Sequence, residues 1–370
     1  MAWTSLFYST KQRSSEASGV LFISSGGLGD TVLLSLVFDR MCAMAEPGED
    51  ITLVLPREAI KMAFLFDEKI NILPVDYTAF RKSRTYKKEI FDQLFGANYR
   101  VVVSTDFLRH PKLDEALIKA CAAPETLAMA PRSWPKYDKA LTKNRVLYSR
   151  LFESGPVHLD KVLRWARFAN WLTGKGQYSV PPPLVRLPDG VVKAGPAYPR
   201  PTVILVPFSA VKEKQSLPDV FLAIMQHLEG RCDFVIASAP NDLEKNPEYM
   251  SLANRPNVSF ETAFFEDLAP KLKQAQLVVS VDTACMHLAA AVGAPTICLA
   301  SAAYVGEIVP YAPEITPDNV RFVYTPMACE GCLGNCILPA ETTRFPCVRR
   351  LYQHQIHAAS DERLSRCATQ

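Results

Sequence analysis

Three short stretches of the sequence place proton-handling or phosphate-binding side chains directly after an apolar run. They read "ISSGGLGDTVLLSL" (residues 23–36), "LVPFSAVKEKQSLPDVF" (205–221) and "SVDTACMHLAAAVGAPT" (280–296). A carboxylate can accept a proton from a hydroxyl group, while hydroxyl, ammonium and imidazole groups can neutralise phosphate. The three stretches are therefore the candidates for chemistry.

The first stretch contains glycines at positions 26, 27 and 29, followed by Asp30. Glycines allow a tight turn and a close approach of the backbone to a ligand, and a helix is predicted from about Thr31. The dinucleotide pattern G-x-G-x-x-G fits poorly, because its third glycine would fall on Val32 when counted from Gly27 and on Thr31 when counted from Gly26. Asp30 is suited to accept a proton from a substrate hydroxyl. The alternative is that it only caps the helix.

The second stretch follows the apolar run "TVILVPF" with Ser209, Lys212 and Lys214, and Pro218 suits the first turn of a helix. A hydroxyl group and lysines at the end of a strand can bind phosphate. The alternative is a pair of solvated surface lysines.

The third stretch predicts a strand, then Thr283 at the start of a helix over about 284–292, with Gly293 at its end. A helix N-terminus that follows a strand attracts anions, and His287 could donate to a phosphate oxygen there. The alternative is that Thr283 only caps the helix and that His287 is a buried core residue.

Valine- and isoleucine-rich runs separated by helix-length segments surround these stretches, as in strands of a parallel sheet that is buried on both faces. The predicted strands cover residues 19–24, 51–56, 70–75, 100–105, 202–208, 232–238, 277–282, 295–300 and 320–325, and helices are predicted over 31–45, 218–229 and 265–275. We therefore expect an α/β protein with two Rossmann-like domains that face each other across a cleft.

The predicted domain order begins with a flexible lead-in at residues 1–18 and an N-terminal domain at 19–180. A Pro-rich linker at 181–200, a C-terminal domain at 201–350 and a helix or tail at 351–370 follow. The net charge of +3 does not argue for nucleic-acid binding. Neither a signal peptide nor an apolar run of membrane-spanning length is recognisable. The sequence thus predicts a cytoplasmic protein, with peripheral contact to the inner membrane as a further hypothesis.

Basic residues are concentrated in the N-terminal half. Residues 81–88 read "RKSRTYKK", and residues 131–150 hold six more basic residues against one acidic residue, Asp138. One interpretation is a solvated surface. The other is a binding surface for an anionic lipid-linked acceptor or for the cytoplasmic leaflet, near which each basic residue contributes about 1 kcal/mol.

Four cysteines follow the spacing C-x2-C-x3-C-x10-C, at Cys329, Cys332, Cys336 and Cys347. Four thiols in a short loop with glycine and proline can bind a structural zinc ion, and an iron–sulfur cluster is an alternative. The same four residues could instead be free thiols or form labile disulfides. The six remaining cysteines are interpreted as small hydrophobic residues.

Taken together, the motifs "SSGGLGDTVL", "PFSAVKEKQSLP" and "VVSVDTACMHLAAAVGAPT" resemble glycosyltransferase family 9, the heptosyltransferase-like enzymes of bacterial lipopolysaccharide synthesis. The resemblance covers most of residues 19–350. It implies a fold of the glycosyltransferase B type, with an acceptor-binding N-terminal half and a nucleotide-sugar-binding C-terminal half.

The resemblance also implies roles for individual residues. Asp30 corresponds to the general base. Gly27 and Gly29 are assigned to the acceptor side, and so are Arg81, Arg84 and Lys87 of the basic stretch, because they lie in the half that binds the acceptor in this family. The residues assigned to the donor, with Asp242 or Glu244 for its ribose, are Ser209, Lys214, Asp242, Asp282, Thr283, Ala284 and His287. The family usually has glycine where this chain has Ala284.

The function expected from this resemblance is inverting transfer of a heptose or related sugar from a nucleotide-diphosphate sugar, ADP-heptose in the family, to a hydroxyl of an anionic glycan acceptor. No cofactor is expected to be required for catalysis. The alternatives are a nicotinamide-dependent oxidoreductase that uses the glycine turn and a non-catalytic relative that binds nucleotide sugars.

Overall fold

The computed structural model describes residues 16–253, 255, 257–341 and 343–367. Most of the predicted lead-in, residues 1–15, lies outside this part of the chain, as do residues 368–370 of the predicted tail. The chain divides into two compact units. One consists of residues up to Val157 together with Arg164–Pro181, and the other of His158–Leu163 together with the residues from Pro182 onward.

The first unit contains a six-stranded parallel sheet in the order β3-β2-β1-β4-β5-β6. Its strands are β1 (Val20–Ile23), β2 (Ile51–Pro56), β3 (Asn71–Val75), β4 (Val101–Ser104), β5 (Glu125–Met129) and β6 (Arg150–Phe152). Its helices are α1 (Leu28–Cys42), α2 (Tyr77–Lys82), α3 (Arg84–Ala97), α4 (Asp114–Cys121), α5 (Asp138–Asn144) and α6 (Lys161–Leu172), the last of which begins in residues of the other unit.

The second unit contains another six-stranded parallel sheet, in the order β12-β11-β10-β7-β8-β9. Its strands are β7 (Thr202–Val206), β8 (Asp233–Ala237), β9 (Val258–Glu261), β10 (Leu277–Val281), β11 (Thr296–Leu299) and β12 (Val320–Val323). Its helices are α7 (Pro218–His227), α8 (Asp242–Lys245), α9 (Met250–Ala253), α10 (Phe265–Gln274), α11 (Ala284–Ala291), α12 (Pro346–Arg349) and α13 (Gln353–Cys367).

The predicted α/β fold with two Rossmann-like sheets is confirmed. All nine predicted strands are present, and β1, β4, β7, β10 and β11 are buried along their whole length, as expected of strands covered on both faces. The sequence analysis missed three strands, β5, β6 and β9. It also placed the start of α1 near Thr31, whereas the helix begins at Leu28.

Each sheet has one position where the strand order reverses. In the first unit it lies between β1 and β4, and in the second between β7 and β10. Such reversals leave a crevice at the carboxyl ends of the two central strands, where ligands of open α/β sheets bind. The glycine turn follows β1, and the other two candidate stretches follow β7 and β10.

Over the part of the chain that the structure describes, none of the helices combines the length and the apolar character that crossing a membrane requires.

Candidate functional site

In the second unit the switch point holds an ion pair between the two central turns. Lys214 lies in a single helical turn, Lys212–Lys214, after β7, and its Nζ lies 2.7 Å from Oδ2 of Asp282, which follows β10. The side chain of Asp282 is only 3% exposed and that of Lys214 is 13% exposed. The parallel pairing of β7 with β10 brings these two turns together, although 68 residues separate them along the chain.

His287 belongs to the same cluster. Its Nε2 lies 3.7 Å from Oδ1 of Asp282, and its Nδ1 lies 2.7 Å from the hydroxyl of Tyr311. All three side chains are buried. Burial raises the pKa of the Tyr311 hydroxyl well above its ordinary value, so this group remains a neutral phenol. The imidazole thus bridges Asp282 and Tyr311, a contact that the sequence analysis missed.

Helix α11 starts next to this cluster, with Thr283 at the N-cap position and in extended backbone conformation. The Thr283 side chain makes no capping hydrogen bond to the helix, so it does not satisfy the first amide groups. Ala284 is the first helical residue and is not among the residues with positive φ. An alanine at this position is therefore free of backbone strain.

The turn after β7 is held by its own side chains. Gln215 donates from Nε2 to the Ser209 carbonyl at 2.9 Å, and the backbone N–H of Val211 donates to the Ser209 hydroxyl at 3.3 Å. Lys214 Nζ also lies 3.9 Å from the ring centroid of Tyr304. The ammonium group is thus placed between an aromatic face and a carboxylate, an arrangement that stabilises a cation.

Asp242 lies apart from this cluster, after β8. It is the first residue of the short helix α8, and its Oδ2 accepts a hydrogen bond from the Ala239 N–H at 2.7 Å. In this structure its carboxylate closes a turn.

In the first unit, the glycine turn leads into α1 with Gly27 at the N-cap position and Asp30 at the third helical position. Asp30 Oδ2 accepts a hydrogen bond from the Gly27 N–H at 2.9 Å. A Cβ atom at Gly26 would lie 2.6 Å from the Asp30 Cβ, so only glycine fits there. The capping interpretation placed Asp30 at the N-cap itself. In the structure the N-cap is Gly27, and Asp30 lies three residues later, inside the first turn of α1.

A second carboxylate, Asp106, supports the same turn and was missed from the sequence. It follows β4, and its Oδ2 accepts hydrogen bonds from the Ser25 N–H at 2.7 Å and the Ser25 hydroxyl at 2.9 Å. Asp114, buried nearby, accepts from the His110 N–H at 2.7 Å. Burial, together with the charge of Asp106, raises the pKa of Asp114 to about 7.

The basic residues assigned to the acceptor side lie on α2 and α3. Arg81 and Arg84 are exposed, and Lys87 Nζ lies 5.0 Å from the ring centroid of Phe80. Burial lowers the pKa of Lys87, and the charge of Lys112 adds to this effect. Burial also lowers the pKa of His110, and the charges of Lys112, Lys136 and Arg81 lower it further. Arg81, Lys112 and Lys136 therefore lie close enough to His110, in the loop that follows β4, to act on its charge.

The four clustered cysteines are free thiols that line one pocket. Burial raises the pKa of Cys329 and of Cys347. The charges of Cys332 and Cys336 raise both pKa values further. Among the described residues, no three His, Cys, Asp or Glu side chains are gathered in the arrangement of a metal centre. The predicted metal site stays a prediction.

Comparison with known protein families identifies the second unit. Residues 182–329 match the model of glycosyltransferase family 9 (heptosyltransferase), and this segment includes Lys214, Asp282 and His287. Residues 182–329 are thus similar in sequence to glycosyltransferase family 9. This finding confirms the predicted family and favours a glycosyltransferase over the oxidoreductase that the glycine turn had left open.

Solved structures of glycosyltransferases share the fold. A family 9 glycosyltransferase of Veillonella parvula has a TM-score of 0.67 at 14% identity, covering 96% of this chain and 100% of its own. The E. coli ADP-heptose LPS heptosyltransferase II has a TM-score of 0.64 at 14% identity, covering 94% and 99%.

The iron-containing dodecameric heptosyltransferase TibC of enterotoxigenic E. coli, in complex with ADP-D-beta-D-heptose, has a TM-score of 0.53 at 13% identity, covering 95% of this chain and 78% of its own. No curated protein matches this sequence closely enough to be compared with it. At these identities the solved structures show the fold alone, which is the B-type glycosyltransferase fold.

Proposed function

We propose that this chain is an inverting glycosyltransferase that moves a heptose or related sugar from a nucleotide-diphosphate sugar to a hydroxyl of a lipopolysaccharide-type or other cell-envelope glycan. The observation that carries the proposal is the buried cluster of Lys214, Asp282 and His287 at the switch point of a family 9 domain.

The donor side of the proposal rests on charge. Lys214 is the cation of the cluster, and the first amide groups of α11 are not capped by Thr283. Both attract a diphosphate, the lysine through its charge and the helix through its dipole. Asp282 and His287 are buried behind Lys214, so they are suited to hold the ammonium group in place. The ribose contact by Asp242 remains part of the proposal.

The acceptor side rests on Asp30. In the proposed step its carboxylate takes the proton of the acceptor hydroxyl, and the acceptor oxygen forms a bond to the anomeric carbon of the donor sugar. The bond from that carbon to the diphosphate breaks at the same time, and its electron pair leaves with the nucleoside diphosphate. One displacement inverts the anomeric centre and needs one base, since no carboxylate forms a bond to the sugar.

Stabilisation of the leaving diphosphate is the other requirement of this step. A lysine ammonium and preorganised backbone amides supply it without a metal ion, because they are directed at the position where negative charge develops. Lys214 and the start of α11 meet this description.

The acceptor is proposed to be anionic and lipid-linked, bound through Gly27, Gly29 and the basic residues Arg81, Arg84 and Lys87. Family 9 heptosyltransferase II is named for transfer from ADP-heptose to LPS, which supports this class of acceptor and donor. A protein that acts on such an acceptor would work in the cytoplasm, at the inner face of the membrane.

A panel of donors tests the proposal. ADP-heptose, UDP- and GDP-sugars and NAD are each offered to the purified protein, and bound ligand and transfer to a lipopolysaccharide acceptor are followed by mass spectrometry. We expect an ADP-sugar to bind and its sugar to reach the acceptor with inverted configuration. Binding of NAD with no binding of any nucleotide sugar would support the oxidoreductase, and binding of sugars without transfer the non-catalytic relative.

A structural metal ion at the four cysteines is a separate part of the proposal. Iron is present in TibC, a structural neighbour. In this chain four thiols line one pocket, and zinc and iron both accept thiolate ligands. Because these thiols are not gathered in the arrangement of a metal centre, an ion would have to draw them together. Such an ion would fix the loop that carries the cysteines and would take no part in the transfer step.

A further inference from the structure

The segment between Cys336 and Cys347 contains one of the largest fully buried side chains among the described residues, Arg344, which is 1% exposed. Its Nε donates to the Gln215 carbonyl at 2.9 Å, and its Nη2 lies 3.0 Å from Glu248 Oε1. Its neighbour Phe345 donates its backbone N–H to the Glu213 carbonyl at 3.0 Å. Two consecutive residues therefore bind the backbone on both sides of Lys214.

The contacts of Arg344 extend to the rest of the turn after β7. Gln215, whose carbonyl Arg344 holds, donates from its own side chain to Ser209. Glu248, which pairs with Arg344, also lies 3.3 Å from Lys212 Nζ. The whole turn from Ser209 to Gln215 is thus connected to Arg344 by hydrogen bonds and ion pairs.

The loop that bears the four cysteines, residues 327–341 and 343–348, is called the cysteine-bearing loop, and it also holds a second neighbour of Lys214. Gly331 donates its N–H to the Ala302 carbonyl at 2.9 Å, and Leu333 donates to the Ala303 carbonyl at 2.8 Å. The backbone amides of Ala302 and Ala303 also lie close enough to the Cys347 thiol to lower its pKa, against the larger effect of burial, which raises it.

Tyr304, which follows Ala303 in the chain, is the aromatic neighbour of Lys214, and its ring faces the Lys214 ammonium group. A Cβ atom at Gly334 would lie 3.2 Å from the Tyr304 hydroxyl, so the loop and the tyrosine are in close contact. The aromatic neighbour of the lysine is therefore held by the loop as well.

We propose that the cysteine-bearing loop positions Lys214 for the donor, with Arg344 as the positioning residue. Arg344 acts through Gln215, and Gly331 to Gly334 act through Tyr304. The inference rests on the proposed function only in taking Lys214 as a donor-binding residue. A disturbance of the loop should therefore reach the donor site without any change to a residue that contacts the donor.

Amide hydrogen exchange measured by mass spectrometry tests the positioning directly. Arg344→Lys keeps the charge but loses the fork of donors that holds Gln215 and Glu248. We expect faster exchange in peptides covering residues 209–216, with little change in the rest of the unit. The matched control is Arg363→Lys, because Arg363 is also a buried arginine of this unit and binds the carbonyls of Asp318 and Val320. Equal exchange of 209–216 in wild type and Arg344→Lys would overturn the proposal.

Titration with ADP gives the functional readout. We expect Arg344→Lys to weaken ADP binding about tenfold, because a displaced Lys214 would lose one charge-assisted hydrogen bond to the diphosphate. When Lys214 is already alanine, the same change should have no further effect. An equal loss in both backgrounds, or no loss in wild type, would overturn the proposal. If wild type does not bind ADP, the donor nucleotide of the proposed function is wrong, and the exchange measurement alone decides the inference.

A second variant avoids Arg344 altogether. Gly334→Ala should also weaken ADP binding, because Gly334 has φ of +85° and its added Cβ would meet Tyr304. Gly230→Ala is the control, since Gly230 has φ of +75° in the same unit but no atom within 4 Å of the added Cβ. If both alanine variants bind ADP as wild type does, the loop does not position Lys214.

Discussion

Lys214 Nζ and Asp282 Oδ2 lie 2.7 Å apart at the carboxyl ends of two neighbouring strands, and Asp282 Oδ1 lies 3.7 Å from His287 Nε2. One buried carboxylate therefore faces two basic groups on opposite sides. Removing one partner of a buried ion pair leaves the other unpaired, which is costly, so these residues depend on each other.

Replacement of Lys214 by alanine should lower kcat/KM by about 10²–10³, the effect of removing one group that stabilises developing negative charge. The loss in kcat/KM is measured by steady-state transfer kinetics with the donor that the panel of nucleotide sugars identifies. Lys193→Ala is the control, because Lys193 is an exposed lysine of the same unit outside the turn after β7. Similar losses for the two variants would contradict the role given to Lys214.

Asp282→Asn should show whether the carboxylate acts through the lysine. The amide cannot pair with the ammonium group, so we expect weaker donor binding in the single variant. In the Lys214→Ala background the same change should add little, because the two residues act as one unit. Fully additive losses in the double-mutant cycle would mean that Asp282 contributes independently of Lys214.

Asp30→Asn separates the proposed base from the structural role of Asp30. The amide oxygen can still accept the hydrogen bond from Gly27, so α1 should start as in wild type and the melting temperature should be kept. The amide cannot take a proton, so we expect kcat to fall by about 10²–10⁴ while donor affinity is unchanged. Turnover within about threefold of wild type would remove Asp30 as the base.

The fold could be predicted from the sequence where burial leaves a mark on composition. Nine strands are continuous apolar runs, whereas β9 has exposed residues, as an edge strand does, and β6 has only three residues. The three polar turns could be found because each directly follows such a run.

Contacts made by residues far apart in sequence could not be predicted from the same patterns. Tyr311 meets His287 across 24 residues, Asp106 meets Ser25 across 81, and Arg344 meets Gln215 across 129. None of these contacts has a local spacing that would reveal it, because each depends on the packing of loops around the sheets. A carboxylate directly after a buried strand, as at Asp106, is the one signal that could have been used.

The buried carboxyl of Asp114 predicts a pH-dependent stability of the first unit. Its pKa is raised to about 7, against about 3.9 for an aspartate in an unfolded chain. Between these values the folded protein binds more protons than the unfolded chain, so this group makes the free energy of unfolding fall as pH rises from about 4 to about 7.

Asp114→Asn removes this titration, because the amide stays neutral. The melting temperature of wild type should decrease more than that of the variant between pH 5 and pH 8, and the two curves should run parallel above pH 8. Thermal unfolding followed by circular dichroism measures both. Parallel curves over the whole range would show that Asp114 is ionised in the folded protein well below pH 7.

Binding to anionic vesicles tests the basic surface on α2 and α3. The protein should sediment with vesicles that contain phosphatidylglycerol, less so at high salt, and Arg81→Glu/Arg84→Glu should reduce this binding. Lys245→Glu/Arg349→Glu is the control, because it makes the same change in net charge at exposed positions of the second unit. Equal reduction in the two double variants would indicate an effect of net charge alone, and absent or salt-independent binding would contradict a membrane-facing surface.

The thiol cluster predicts bound metal that depends on all four cysteines. Protein purified without chelator should contain about one equivalent of zinc or iron by elemental analysis, and replacement of any one of the four by serine should reduce this amount. Cys232→Ser is the control, because Cys232 is a buried free thiol outside the cluster.

A metal ion bound by the four thiolates would also fix the loop that holds Arg344. Removal of the ion by a chelator should therefore weaken ADP binding, as Arg344→Lys does. Because binding at a structural site is coupled to folding, such a site is filled in the folded protein. Less than about 0.2 equivalents of any metal in wild type would therefore mean that the four cysteines do not hold a structural metal ion.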